Sequence, residues 1–151
     1  MEENAVRMKA YAKNFSEIHV FLSKDYYNGI SSKFYLKDFE TDELVLLSGD
    51  ALEESSIPGF QENAFHVSYK MGRIYRIVDA YGLSCFLDFS RLSMCSSFDD
   101  LYYYDGNDLG SMYTKEKTIF KVWSPLSTGV ILKLMKDGKT SLYPMEREEK
   151  G

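Results

Sequence analysis

Hydrophobic and polar residues alternate along most of this chain, which is the pattern of strands that bury one face. The clearest case is "SEIHVFLS", residues 16–23, where Ile18, Val20 and Leu22 fall on one face. Further strand candidates follow at residues 32–40, 42–49, 64–72, 73–82 and 83–94. Short strands separated by turns about every 8–12 residues predict an all-β fold of the β-sandwich type.

Two segments of the first half predict other local structure. Apolar residues recur at helical spacing over residues 3–12, which predicts a short helix there. Asn28-Gly29 is a pair preferred in two-residue hairpin turns, because both residues tolerate positive φ. We therefore expect residues 16–23 and 32–40 to pair with each other as a hairpin.

A second set of strand signals follows a polar stretch near residue 110. Residues 117–125, "KTIFKVWSP", predict one strand, and residues 128–145 predict a hairpin that turns at Asp137-Gly138. Three strands leave a sheet edge open and half of the apolar face uncovered. Either this unit docks on the first one, or the chain is a piece of a longer protein.

The polar stretch itself, rich in Asp, Asn and Gly, predicts the boundary between two β units. We assign a first β domain to residues 1–98 and a hinge to residues 99–116. The first strands of a second, truncated β-sandwich then occupy residues 117–151.

Charge and composition argue against several classes of partner and cofactor. The net charge is −5 and the Lys and Arg residues are scattered, so nucleic acid and anionic membranes are not expected partners. No segment approaches the roughly 20 apolar residues of a membrane span, and the start does not look like a signal peptide. The only cysteines, Cys85 and Cys95, predict free thiols in the cytoplasm. No phosphate-binding glycine loop or zinc-type cysteine spacing occurs, so no cofactor is expected.

Residues 102–116, "YYYDGNDLGSMYTKE", carry the highest density of chemically active side chains. Four of them fit the spacing of a calcium-binding loop: Asp105, Asn107, Gly110 and Glu116. Leu109, however, occupies a position that requires an oxygen ligand, and the flanking segments predict strands rather than helices. The pattern therefore favours a turn-rich linker without a metal.

Acid–base and nucleophilic catalysis each need polar side chains held in a defined geometry. The acidic candidates are Asp99, Asp100, Asp105 and Asp108. A glycosidase holds two carboxylates apart across a cleft, and neighbours in a flexible loop rarely keep that geometry, so a solvated acidic loop is favoured. The two histidines, His19 and His66, lie on separate predicted strands, and no feature supports a Cys–His pair.

Trp123 is the single tryptophan, and alternation places it on the same strand face as Lys121. An indole ring beside a lysine can stack on a sugar ring or fill an interface with another domain. The second role is favoured, because large aromatic side chains are enriched in such interfaces.

Residues 102–139 resemble the opening of the starch-binding-like β-sandwich in type I pullulanases, the α-1,6-debranching members of glycoside hydrolase family 13. Those proteins show Tyr-Asp-Gly, an acidic spacer, Leu-Gly, Tyr-Thr and then a strand that ends in Trp-Ala/Ser-Pro. The corresponding residues here are Tyr104, Asp105, Gly106, Leu109, Gly110, Tyr113, Thr114, Trp123, Ser124 and Pro125. The motif is specific as a whole, and it covers about the last third of the chain.

The resemblance implies that residues 117–151 begin a carbohydrate-binding module of family 48, an incomplete immunoglobulin-like β-sandwich. Residues 1–98 then correspond to the additional N-terminal β domain of intracellular pullulanases. The family's catalytic carboxylates lie in a (β/α)₈ barrel that would follow, so the resemblance assigns no catalytic residue to this chain. We expect an inactive N-terminal piece of a debranching enzyme that positions the barrel and holds α-glucan. The alternative is a purely structural role without glucan binding.

The expected partners are therefore α-glucan and the remainder of the parent enzyme. The residues expected to contact carbohydrate or another domain are Trp123, Lys121 and Tyr104. The residues expected to form the hinge motif are Asp105, Gly106, Leu109 and Gly110. A third hypothesis, a small enzyme built on the acidic loop, requires Asp105 or Asp108 to have a perturbed pKa in a cleft.

Overall fold

The computed structural model describes residues 6–151 and confirms an all-β fold. The first sheet contains β1 (Met8–Asn14), β2 (Glu17–Ser23), β3 (Phe34–Asp38), β4 (Leu44–Leu46), β5 (Ser48–Ala51), β6 (Phe60–His66), β7 (Tyr75–Asp79) and β8 (Ser84–Asp88). Two 3₁₀ helices lie at Tyr27–Gly29 and Ser90–Met94, and α1 spans Ser96–Tyr102. The last strands are β9 (Gly110–Tyr113), β10 (Thr118–Lys121), β11 (Ile131–Lys136) and β12 (Lys139–Pro144).

The eight-stranded sheet has the order β4-β3-β7-β8-β1-β2-β6-β5. All neighbouring strands are antiparallel except β1 and β8, which are parallel. The two edge strands, β4 and β5, are separated in the chain by Leu47 alone. Leu47 donates its N–H to the Phe34 carbonyl at 2.9 Å on one edge, and Gly49 pairs with Phe65 at the other. The sheet therefore bends round until its edges meet, as in a closed sandwich or barrel.

The core lies inside this bent sheet, and β2 is its most buried strand. Ile18, Val20 and Leu22 are completely buried, as their alternation predicts. The opposite face of β2 is also covered, because Tyr11 stacks on the rings of His19 and Phe21 at 5.4 and 5.5 Å. A strand covered on both faces must satisfy any polar side chain it carries with partners inside the protein.

The prediction of a short helix over residues 3–12 is wrong where the structure describes it. Residues 3–5 lie outside the described residues, and Met8–Asn14 forms β1 between β2 and β8. The side chains of Met8, Ala10 and Ala12 are buried, which is a two-residue period. Pairing with two strands overrides the weak helical propensity of this segment.

The predicted hairpin at Asn28-Gly29 is also wrong in its pairing. Asn28 and Gly29 do have positive φ, 56° and 74°, as the pair predicts. However, β2 pairs with β1 and β6, whereas β3 pairs with β4 and β7. The turn starts a crossing between two regions of the sheet, and turn chemistry alone does not specify which strands pair.

The last third of the chain forms two separate two-stranded sheets, β9–β10 and β11–β12. The hairpin predicted at Asp137-Gly138 is confirmed, with φ of 49° and 73° at these residues. The predicted domain boundaries stay a prediction. Within the predicted hinge, Gly110–Tyr113 forms β9, which pairs with β10. In residues 6–151, no helix is long and apolar enough to cross a membrane.

Candidate functional site

A cleft of about 660 Å³ lies between β10, the β11–β12 hairpin and the segment that follows β12. Three residues that the sequence analysis selected as contact residues line it: Tyr104, Lys121 and Trp123. Leu109 of the predicted hinge motif also lines it. The cleft therefore gathers the residues predicted to contact carbohydrate or another domain.

Lys121 holds the polar side of this region. Its Nζ lies 2.8 Å from Oδ2 of Asp108 and 3.6 Å from Oε2 of Glu148. Tyr104 donates its hydroxyl to the other carboxylate oxygen of Asp108. The hydrogen bonds from Lys121 and Tyr104 lower the pKa of Asp108, and the hydrogen bond to Asp108 raises the pKa of Lys121. Both side chains are therefore stabilised in their charged forms.

Two glycines give the loop before β9 its shape. A Cβ added to Gly106 would overlap the ring of Tyr104, so only glycine allows the backbone to pass this close to the ring. Gly110 has a φ of 95°, which is left-handed and favours glycine. Gly110 also pairs with Lys121, so this glycine fixes where the lysine meets the loop. The Tyr-Asp-Gly and Leu-Gly spacing thus has a local geometric reason.

Trp123 connects the cleft to the first sheet. Its Nε1 donates a hydrogen bond to the carbonyl of Tyr102 at 2.8 Å, at the end of α1. Its ring packs edge-on against Phe98 at 6.3 Å, and Phe98 is part of the main core. Trp123 nevertheless stays 41% exposed. One edge of the indole is therefore anchored, while part of its surface remains open to the cleft.

Two basic residues near the end of the chain make further contacts with earlier segments. Arg147 donates to the carbonyls of Pro125 and Ser127 at 2.5 and 3.1 Å. Lys150 donates to the carbonyl of Leu101 at 2.8 Å. These main-chain contacts fix the position of the segment after β12 against α1 and the loop after β10.

The geometry does not support Asp105 or Asp108 as an acid–base residue of the cleft. Asp108 has a lowered pKa, whereas a general acid requires a raised one. Within the described part of the chain, neither Asp105 nor Asp108 lines the cleft. Residues 6–151 also contain no group of three or more His, Cys, Asp or Glu side chains placed to hold a metal ion.

A second polar cluster, which the sequence does not predict, lies in the first sheet. His19 sits between two carboxylates, with Nδ1 2.6 Å from Glu62 Oε1 and Nε2 2.7 Å from Glu17 Oε1. Ionised carboxylates only accept hydrogen bonds, so a ring nitrogen that carries a proton donates to the carboxylate beside it. We call Glu17, His19 and Glu62 the buried ion cluster.

The electrostatics of the buried ion cluster follow from its hydrogen bonds. The hydrogen bond from His19, followed by that from Lys13, lowers the pKa of Glu17 to about 2. Burial acts to raise the pKa of Glu62, but hydrogen bonds from the N–H and hydroxyl of Ser56, together with His19, lower it overall. Buried charges are tolerated when they are paired and hydrogen-bonded in this way.

The buried ion cluster does not have the order of a nucleophilic triad. Ser56 donates its hydroxyl to Oε2 of Glu62 at 2.8 Å, so the carboxylate lies between the hydroxyl and the imidazole. A triad requires the imidazole beside the nucleophile, where it can take the proton. The pairing of β2 with β6 brings Glu62 to His19 from 43 residues away, and no local sequence signal marks that contact.

Comparison with known proteins places these features in context. No family model matches the chain. A curated relative, the pullulanase of Bacillus subtilis (strain 168), is 39% identical over 83 residues, which are 53% of this chain and 11% of the relative.

Solved structures of pullulanases match a larger share of this chain. The pullulanase of Anoxybacillus sp. LM18-11 complexed with maltotriose covers 95% of the chain at 30% identity, with a TM-score of 0.81. The type I pullulanase of Bacillus subtilis str. 168 complexed with maltose covers all of it at 27% identity, with a TM-score of 0.80. In both cases the chain spans 21% of the length of the solved protein. The resemblance to the N-terminal region of type I pullulanases is therefore confirmed.

Proposed function

We propose that this chain acts as the N-terminal accessory region of a pullulanase-like debranching enzyme and helps to position its catalytic barrel. The similarity to the N-terminal region of pullulanases supports a piece of such an enzyme. In enzymes of this kind the hydrolytic carboxylates are expected in the barrel, so the accessory region contributes geometry rather than bond cleavage. The role of this chain in the reaction is therefore to position the barrel.

The observation that carries this proposal is the contact of Trp123 with Phe98 and with the Tyr102 carbonyl. It joins the small sheets of the last third to the core of the first sheet through one side chain. Lys150 and its contact with the Leu101 carbonyl add a second connection to the same helix. A region that must hold a neighbouring domain in a fixed place needs such internal rigidity.

A second candidate function is α-glucan binding in the cleft. Trp123 keeps part of its surface open, and Tyr104 and Lys121 line the same cleft. Aromatic rings with nearby hydrogen-bonding groups suit a sugar, whose ring has an apolar face and polar edges. The solved relatives complexed with maltotriose and maltose favour a glucan as the ligand to test.

One variant separates these two functions. We expect Trp123→Ala to lower the melting temperature of the chain, because it removes the hydrogen bond to Tyr102 and the contact with Phe98. If Trp123 also binds glucan, calorimetric titration with maltoheptaose will show weaker affinity at a temperature where the variant is folded. Unchanged affinity together with lowered stability would mean that Trp123 serves only the positioning role.

The cytoplasmic location is proposed on the two cysteines. Cys85 and Cys95 are both free in the structure, and burial raises the pKa of the Cys85 thiol to about 12. An unpaired, protonated and partly buried thiol suits a reducing compartment. Fluorescence microscopy of the tagged protein in its native cell, with fractionation as a control, tests this location.

A further inference from the structure

Three tyrosines from two distant turns meet at the surface of the first sheet. Tyr26 and Tyr27 lie in the turn after β2, and Tyr81 lies in the turn between β7 and β8. The rings of Tyr27 and Tyr81 stack with centroids 4.1 Å apart and planes 17° apart. Both residues nevertheless stay more than half exposed, at 58% and 55%. We call Tyr26, Tyr27 and Tyr81 the tyrosine cluster.

The backbone at Tyr27 is unusual for a large side chain. Its φ is 46°, and Asn28 and Gly29 continue with 56° and 74°, so three successive residues are left-handed. Asn and Gly accept this conformation readily, but for a bulky residue it is an outlier. Such strain persists where the surroundings enforce it, and it gathers at binding sites. The turn could form with a smaller residue at position 27. The aromatic ring of Tyr27 serves instead the stack with Tyr81.

Hydrogen bonds to the backbone hold the turn that carries Tyr81 in place. Oδ1 of buried Asp79 accepts hydrogen bonds from the N–H groups of Tyr81 and Leu83 at 2.9 and 2.8 Å. The hydroxyl of Ser31 accepts from the Ala80 N–H at 3.1 Å, which ties the two turns together. The exposed rings are therefore placed before any ligand arrives, which lowers the entropy cost of binding.

Tyr26 supports the exposed pair from one side. Its ring meets Tyr27 edge-on at 4.8 Å and Tyr81 edge-on at 6.3 Å. Burial raises the pKa of Tyr26 to about 12, and the neighbouring Asp79 acts in the same direction. The cluster thus offers phenolic hydroxyls and exposed aromatic surface.

A pyranose ring matches these properties, since it combines an apolar C–H face with hydroxyl groups and carries no charge. We propose that the tyrosine cluster binds a pyranose ring of an α-glucan at a site separate from the cleft. None of its three tyrosines is among the described residues that line that cleft. The choice of α-glucan as the sugar rests on the proposed function.

The test is a titration of the full chain with maltoheptaose, followed by NMR of labelled tyrosine rings and by calorimetry. Tyr81→Ala removes one ring of the pair. Tyr27→Gly removes the other and leaves a residue that adopts positive φ at no steric cost. The matched control is Tyr113→Ala, because Tyr113 is 79% exposed and lies outside the tyrosine cluster.

We expect both cluster variants to bind maltoheptaose about threefold to tenfold more weakly and Tyr113→Ala to bind as the unaltered chain does. Tyr27→Gly should lose affinity without losing thermal stability, which a purely structural cluster would not show. Unchanged affinity in both cluster variants overturns the inference. If Trp123→Ala alone weakens binding, the cleft is the glucan site and only this inference fails. An unaltered chain that binds no maltoheptaose removes both glucan sites and leaves the positioning role to be tested separately.

Discussion

Glu62 and His19 are 43 residues apart in the sequence, yet Oε1 of Glu62 lies 2.6 Å from Nδ1 of His19, on the face of β2 opposite the apolar core. Glu17 faces the other ring nitrogen at 2.7 Å. The imidazole of His19 thus lies between the two carboxylates and contacts each of them through one ring nitrogen. The stability of this region therefore depends on keeping all three groups of the buried ion cluster.

Replacing Glu62 by Gln should destabilise the protein by about 3 kcal/mol, because it leaves His19 with one anionic partner in a buried site. The substitution also weakens the hydrogen bonds that Ser56 donates to this side chain. Urea unfolding followed by circular dichroism measures the loss. The control is Glu54→Gln, since Glu54 is exposed and its neutralisation should change stability by less than about 0.5 kcal/mol. If Glu62→Gln lowers the unfolding free energy as little as Glu54→Gln does, the cluster does not stabilise the protein.

The contribution of Glu17 to stability should disappear in acid. Its pKa is about 2 in the folded chain against an ordinary 4.5, so its stabilising contribution is complete above about pH 4.5. It decreases as the pH falls from there towards 2, where the folded carboxyl also binds its proton. The difference in unfolding free energy between the unaltered chain and Glu17→Gln should therefore shrink over this range. A difference that stays constant from pH 6 to 2.5 would contradict the role of this carboxylate.

Gly49→Ala should disrupt the pairing of the edge strand β5 with β6. A Cβ at Gly49 would overlap the Ala64 carbonyl and lie 2.9 Å from the Cα of Phe65. The neighbouring atoms are backbone and cannot move aside, so we expect a loss of about 2–4 kcal/mol in unfolding free energy. Gly129→Ala is the control, because a Cβ there meets nothing within 4 Å among the described residues. Similar melting temperatures for both variants would show that β5 does not pack on β6 as described.

Gly106→Ala should loosen the loop that carries the Tyr-Asp-Gly motif. The added Cβ would overlap the ring of Tyr104, which then has to leave Asp108. Limited proteolysis should cut the loop before β9 faster in this variant than in the unaltered chain. Gly129→Ala serves again as the control, and its cleavage pattern should not change. An unchanged rate in Gly106→Ala would mean that the Tyr104 ring moves without freeing the loop.

The sequence predicted most accurately the features that depend on neighbouring residues. Asp137-Gly138 specifies a tight turn through its own positive φ, and the strands beside it pair with each other. The resemblance carried by Tyr104 to Pro125 was also readable, because a motif of fixed spacing does not depend on distant contacts.

Features that depend on distant pairing could not be predicted in the same way. Met8–Asn14 is a strand because β2 and β8 flank it, and neither neighbour is visible in its own sequence. Asn28-Gly29 specified its backbone angles but not which strands it joins. The same holds for the candidate sites, since Tyr81 reaches Tyr27 and Glu62 reaches His19 only through the strand order.

A chimaera tests the positioning role directly. This chain replaces the corresponding N-terminal region of the Bacillus subtilis pullulanase, and the release of reducing ends from pullulan is measured. We predict that the chimaera hydrolyses pullulan, that Trp123→Ala within it lowers the rate, and that Tyr113→Ala does not. A chimaera as inactive as the enzyme from which the region has been deleted would contradict the positioning role.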